Sequence, residues 1–222
     1  ELASYLGKQS AINILTFPDW ETLPYDQFSP YQDIVSDRLA TLARLPALER
    51  GILVAPVTTL MQRLLPRDYL VAHSLILTSG QRLDINSFRQ DLIAAGYVFV
   101  PQVMEHGDAA IRGSLIDIYP MGAALPFRID LFDDAIDSIR TFDPETQRSL
   151  ETTEGIRILP AREVALIEEG IARFRAGWRE RFAGNPGQCP VYRDVSQGLA
   201  PAGIEYYLPL FYAETHSLFN YI

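Results

Sequence analysis

A chain of 222 residues, 48% hydrophobic and 21% charged, has room for one large domain or two to three small ones. It carries enough apolar matter to bury a core, which excludes disorder as its main state. The formal net charge is −9, and the acidic excess is concentrated in residues 71–160, with 7 basic against 13 acidic groups. No third of the chain carries the surplus of Lys and Arg that displaces counterions from a duplex, so DNA binding by this chain alone is not expected.

The opening ELASYLG (1–7) reads as the end of a helix already under way, so the chain is expected to be a segment of a longer protein, cut upstream. AINILTF (11–17) is a short apolar run of strand type ended by Pro18. DWETLPYDQFSPYQD (19–33) mixes Pro, Asp and aromatics without a period, which predicts an ordered loop. DIVSDRLATLARL (33–45) predicts a helix, because Ile34, Leu39, Leu42 and Leu45 recur at roughly helical spacing and Pro46 closes it. GILVAPV (51–57) is near-continuously apolar, as in a buried parallel strand, and TTLMQRLL (58–65) predicts a second helix stopped by Pro66. Strand, helix, strand, helix in this order is an α/β pattern.

From Ser74 the pattern changes. LILTSGQRL contains a strand and a Ser-Gly turn, and DINSFRQDLIAAG (84–96) predicts a helix capped by Asp84 or Asn86 and stopped by Gly96. Strands are predicted at 97–104, 114–120, 127–132 and 135–142, separated by HGDAAIRG, MGAAL and DD, with DPETQ after the last. That spacing predicts an antiparallel meander, so one helix plus a curled sheet makes a small α+β domain over about 71–155. IRILPA (156–161) predicts a strand. VALIEEGIARFRAGWRERFAG (164–184) predicts a helix with Leu166, Ile171, Phe174, Trp178 and Phe182 as its apolar stripe, and the aromatic-rich tail reads as irregular.

Candidate chemistry is sparse. Gly7-Lys8-Gln9-Ser10 has the wrong spacing for a phosphate-cradling loop, and no dinucleotide fingerprint is present. Asp130, Asp133, Asp134 and Asp137 offer oxygen ligands for Mg²⁺ or Ca²⁺, against which stands a plain hairpin turn at Asp133-Asp134. His73, His106 and His216 are widely spread, and Cys189 in a Pro/Gly loop reads as an incidental thiol. A single cysteine excludes an internal disulfide framework and a cysteine-only metal cage, and fits a reducing cytoplasm. No apolar run approaches the roughly 20 residues that span a bilayer.

One strand is odd. In FRIDLF (127–132), Phe127, Ile129 and Leu131 share one face, while Arg128, Asp130 and Phe132 share the other. If the first set faces the core, a phenyl ring stands beside an arginine on a solvent face, the composition of a protein–protein hot spot. The alternative is that the Phe132 ring folds over a neighbouring strand or reaches a second small core.

The stretch MEHGDAAIRGSLIDIYPMGAALPFRIDLFDDAIDSIRTFDPETQRSL (104–150), with DWETLPYD (19–26) and AGIEYY (202–207), resembles the UvrB-like amino-terminal module of bacterial transcription-repair coupling factors, the Mfd family. The resemblance covers nearly the whole chain. It implies degenerate helicase-like, RecA-type parallel-sheet lobes with an inserted α+β domain: 1–70 as the later part of the first lobe, 71–155 as the inserted domain, and 156–222 as the start of the partner lobe. It also implies that DWETLPYDQFSP replaces the damage-probing hairpin of UvrB.

By the same resemblance the inserted domain docks UvrA, and the contact positions map onto Arg112, Arg128 and Phe132. The implied function is a non-catalytic adaptor that recruits UvrA to stalled transcription complexes for nucleotide excision repair. The chain itself would be monomeric, cytoplasmic and without cofactor or metal. ATP and Mg²⁺ would serve a translocase motor downstream, and RNA polymerase and DNA would be engaged only through downstream domains. The alternative from another class is an ATP-dependent, UvrB-like DNA-remodelling enzyme.

Overall fold

The computed structural model describes residues 12–24, 26 and 28–222. The ELASYLG opening and the Gly7–Ser10 string lie outside the described residues. In chain order the elements are β1 (Asn13–Thr16), α1 (Gln32–Arg44), β2 (Gly51–Val54), α2 (Arg67–Ala72), β3 (Leu75–Thr78), α3 (Ile85–Ala94), β4 (Val98–Phe99) and β5 (Asp108–Arg112). There follow β6 (Leu115–Ile118), β7 (Phe127–Phe132), β8 (Ala135–Phe142), β9 (Ser149–Thr153), β10 (Gly155–Ile158), α4 (Glu168–Arg181) and α5 (Pro190–Ser196). The chain forms two compact units, one from the described part of 1–70 with Arg162–Ile222, the other Val71–Ala161. The whole is a mixed α/β structure with a small parallel sheet and a six-stranded mixed sheet.

In the first unit β1 and β2 pair in parallel, Ile14 opposite Ile52 and Thr16 opposite Val54. α1 packs its Val35, Leu39 and Leu42 inward, and its Thr41 hydroxyl donates to the Thr16 carbonyl at 2.6 Å. The expectation that the 51–57 strand is buried does not hold on both faces: Ile52 and Val54 are exposed. The helix expected at 58–65 is instead a single 3-10 turn, Thr59–Met61. Gln62 leaves it in extended geometry and Leu64 bridges to His216. Pro66 then precedes a helix rather than ending one, its carbonyl accepting from Leu70 N–H at 3.2 Å.

α4 is shorter than the 164–184 reading. Ile167 is extended, so helix begins at Glu168, and Val164 and Ala165 are buried in non-helical chain. Gly170 sits so close to the Ala165 carbonyl that a Cβ would lie 2.0 Å from it. Phe174 and Trp178 form the buried stripe with Tyr192, Val195, Leu208 and Phe211, while Phe182 at the helix end is exposed. The tail expected to be irregular carries α5 and several 3-10 turns.

In the second unit the six strands run in the order β4-β5-β6-β7-β8-β9, and β10 pairs antiparallel with β3. The sheet is mixed, because β4 pairs in parallel with β5; the other neighbours are antiparallel, as the meander reading expects. The strand expected over 97–104 is only two residues long, with Pro101 just beyond it. HGDAAIRG, read as a turn, contains β5, whose alanines carry little strand signal. β9 escapes prediction because it is a polar, exposed edge without alternation. α3 is capped by Asp84, whose carboxylate accepts from Ser87 N–H at 2.7 Å, and Gly96 follows at φ 93°. Phe88 and Leu92 of α3 and Ile116, Ile118, Ile129 and Ile139 of the sheet supply the buried core.

Candidate protein-docking face

Register decides which side chains share the second face of the six-stranded sheet. Asp117 pairs with Arg128 and Ala110, and Arg128 pairs with Arg140, so these positions stand together, opposite the isoleucine face. A small cluster, Val103, Ala110 and Phe142, is buried on this side as well. The alternation in β7 is as expected: Ile129 and Leu131 are buried, and Phe127 is half-buried.

Asp117 organises the face. It is buried, and its carboxylate accepts from both Arg112 and Arg128. Arg128 donates Nε to Oδ1 at 2.8 Å and Nη2 to Oδ2 at 2.9 Å, the forked geometry that suits guanidinium and carboxylate. Its Nη1 donates to the Gln147 carbonyl at 3.1 Å, and its charge lies 4.7 Å from the centre of the Phe142 ring. The hydrogen bond to Asp117 holds the Arg128 guanidinium above its ordinary pKa, against the opposing effect of burial. Arg112 closes β5 before the tight turn at Gly113 (φ 62°), and also donates to the Pro101 carbonyl at 3.1 Å. Arg112 therefore ends a strand, rather than standing at the entrance of one.

The loop from Asp143 to Arg148 closes over Arg128. The Asp143 carboxylate accepts from Thr146 N–H at 2.7 Å and Glu145 N–H at 3.0 Å, and Gln147 takes a positive φ of 59°. These bonds, led by that of the Thr146 backbone, hold the Asp143 carboxyl below the usual carboxylate range. Gln147 Nε2 reaches the Val103 carbonyl at 3.2 Å. Its own carbonyl is left pointing at Arg128.

Phe132 is placed differently. It is 74% exposed at the end of β7, whereas the Arg128 side chain is only 15% exposed. Neither alternative for the ring, a fold over a neighbouring strand or entry into the second small core, accounts for so open a side chain. Asp133 follows at φ 54°, a conformation aspartate tolerates, and Leu83 N–H donates to the Asp134 carbonyl at 2.7 Å, pinning the turn. Between Arg128 and Phe132 the same face carries an Asp130–Arg140 ion pair. The structure thus brings Arg112 and Arg128 onto one carboxylate and leaves Phe132 apart, about 13 Å along the strand from Arg128 by strand rise.

Asp130, Asp133, Asp134 and Asp137 serve the sheet and its turn. Among the described residues no group of three or more His, Cys, Asp or Glu side chains gathers to hold a metal. Asp117 is the organising residue that the motif reading passes over. Its signal is an acid between two isoleucines in SLIDIYP, on the Arg128 side of the alternation.

Residues 75–164 match the UvrB interaction domain. The chain is 50% identical over 209 residues to the transcription-repair-coupling factor of Escherichia coli K12, covering 94% of this chain and 18% of that protein. It is 49% identical over 223 residues to that of Haemophilus influenzae, covering 100% and 19%, and 33% identical over 211 residues to that of Rickettsia prowazekii, covering 95% and 19%. The chain spans about a fifth of the length of these relatives. No described helix is long and apolar enough to cross a membrane.

Proposed function

Because the chain corresponds to the N-terminal region of the transcription-repair-coupling factors and carries a UvrB interaction domain, we propose that it is a non-catalytic adaptor that binds UvrA. The observation that carries this reading is the open ring of Phe132 beside a charged sheet face within the matched residues. A phenyl group this exposed buries a large apolar area when a partner covers it, which is how aromatic anchors dominate interfaces. Arg112 is half exposed while Asp117 fixes its position, so it can offer charge-assisted hydrogen bonds to acidic groups of UvrA. Arg128 acts chiefly by holding Asp117 and the 143–148 loop in place.

On this reading the first unit derives from a nucleotide-binding-like lobe of RecA type that has lost its chemistry. Recruitment of UvrA to a stalled transcription complex then belongs to the whole factor. Contact with RNA polymerase and DNA, and an ATP- and Mg²⁺-dependent motor, would be supplied by regions downstream of this chain.

The test is UvrA binding by the chain and its Phe132→Ala variant, each with a thermal melt. Loss of about 2 kcal/mol of binding or more, roughly 30-fold, with an unchanged melt is the expected result. Undiminished binding by a folded variant overturns the reading. Titration with a fluorescent ATP analogue addresses the remodelling-enzyme alternative: measurable affinity would make this chain more than an adaptor.

A further inference from the structure

Arg128 is occupied within the sheet, and about 13 Å of strand separates it from Phe132. A different arginine stands beside the exposed ring. Phe132 pairs with Ala135 across the Asp133-Asp134 turn, and Ala135 forms an antiparallel bridge with Arg82 on its other side. Directly opposed residues of antiparallel strands project from the same face. Phe132, Ala135 and Arg82 therefore form one cross-strand row, with the smallest side chain in the middle. Two steps of about 5 Å place the Arg82 backbone about 10 Å from that of Phe132.

The row is held by backbone. Ile136 N–H donates to the Gln81 carbonyl at 2.9 Å and Leu83 N–H to the Asp134 carbonyl at 2.7 Å, the two bonds that flank the Arg82–Ala135 bridge. Gly80 N–H adds a third, to the Ile136 carbonyl at 2.7 Å. A backbone fixed in this way loses little conformational freedom on binding, which favours recognition. The Arg82 side chain, by contrast, is open, at 84% exposed. Its ion-pair partner, Asp134, is 62% exposed and lies 3.7 Å away, beyond hydrogen-bond reach. A pair so exposed contributes little to stability, so the guanidinium can take another acceptor at small cost. An arginine and a phenyl ring, both open and separated only by an alanine, have the make-up of an interface hot spot.

We propose that Arg82 is a further docking residue, and that it bonds a carboxylate of UvrA at the edge of the cleft that receives the Phe132 ring. The proposal deepens the docking reading above and rests on it. The chemistry of the acceptor follows from that of the donor, because the guanidinium fork matches a carboxylate in planar, two-bonded geometry. Asp134 competes for the same cation, so neutralising it favours the partner.

The experiment measures UvrA affinity of the 222-residue chain and of its Arg82→Gln, Asp134→Asn, Arg157→Gln and Phe132→Ala variants, at low and high salt and with a thermal melt for each. Arg82→Gln, at an exposed site, is expected to weaken binding at least about 10-fold, to make it less sensitive to salt and to leave the melt in place. Asp134→Asn is expected to bind as tightly as the parent or more so. Arg157→Gln, an equal charge change at another exposed position of the same unit, should stay within about twofold. Undiminished binding by Arg82→Gln, while Phe132→Ala binds weakly, overturns the role of Arg82 alone. So does an early melt of Arg82→Gln, or equal weakening by Asp134→Asn, either of which makes the residue a structural one. Equal weakening by Arg157→Gln overturns it as well, by reducing the effect to net charge. Undiminished binding by Phe132→Ala, or no binding by the parent, overturns the docking reading and this proposal with it.

Discussion

Arg128 grips Asp117 with two parallel hydrogen bonds, Nε to Oδ1 at 2.8 Å and Nη2 to Oδ2 at 2.9 Å, in the middle of the six-stranded sheet. The carboxylate is buried and its other cation, Arg112, is half in water. Arg128 therefore supports the face from within, although strand alternation alone assigns it to solvent. On the proposed reading, loss of Arg128 acts both on stability and on docking, and the two need separate measurements.

Arg128→Ala is expected to cost about 2 kcal/mol of stability, because a buried carboxylate loses its better-placed partner while Arg112 remains. Phe132→Ala should change stability by about 0.5 kcal/mol or less, since its ring makes no core contact to lose. Urea unfolding of the two variants checks this. An Arg128→Ala variant as stable as the parent would mean that Arg112 alone satisfies Asp117.

How much of this was legible in the sequence follows from what periodicity can carry. α1, α3, β7 and β8 declared themselves because one face is buried and the other is not. β5 and β9 did not, the first being alanine-rich and the second a polar edge, so neither shows a period. The 58–65 helix is not decided by the sequence, because two consecutive leucines and a following proline look alike at the end of one helix or the start of another. At the proposed docking face the exposure of Phe132 is readable from alternation. The burial of Arg128 is not, since it depends on a loop, Asp143–Arg148, that closes over the sheet from outside the strand. Arg38 left a trace: it stands three residues after Val35 and four before Leu42, on the apolar stripe of α1, where a charge needs a buried partner.

That partner is Glu163, 125 residues away, bonded by Arg38 Nε at 2.5 Å and Nη2 at 3.2 Å. Both side chains are fully buried; Trp20 Nε1 also donates to Glu163 at 3.1 Å, and the guanidinium lies over the Phe17 and Trp20 rings. Arg38→Ala should cost about 3–5 kcal/mol, because it strands a buried carboxylate. A double-mutant cycle of Arg38→Met with Glu163→Gln should show a coupling above about 1 kcal/mol. Simple additivity would sink the idea that the pair fastens residue 163 to α1.

Asp19 supplies a pH dependence. Burial alone would raise its pKa, but the hydrogen bonds from the Thr58 side chain, the Trp20 N–H and the Gln62 side chain outweigh it and hold the carboxyl below its usual value of 3.8. A carboxyl whose folded pKa is depressed contributes stability above its unfolded pKa and loses it as pH falls through the folded one. The stability difference between the parent and Asp19→Asn should therefore be constant at neutral pH and shrink below about pH 4. Denaturant midpoints measured across that range test this, and a difference that does not change with pH rules it out.

The two faces of β7 give the most discriminating comparison. Ile129 is fully buried against the isoleucines of β6 and β8, opposite Ile116 and Ile139 in register, whereas Phe132 three residues on is open to water. Ile129→Ala should open a cavity and cost about 2–5 kcal/mol, and should reduce UvrA binding only in proportion to the unfolded fraction. Phe132→Ala should leave the melt in place and reduce binding directly. Phe127→Ala belongs between them, because its ring is half-buried at the start of the strand and leaves a smaller cavity. Thermal melts and UvrA affinities for the three variants, measured well below the melting temperature, separate the two faces. If Phe132→Ala melts early while Ile129→Ala keeps its stability and loses UvrA, the docking face is the isoleucine face and not the face of Phe132.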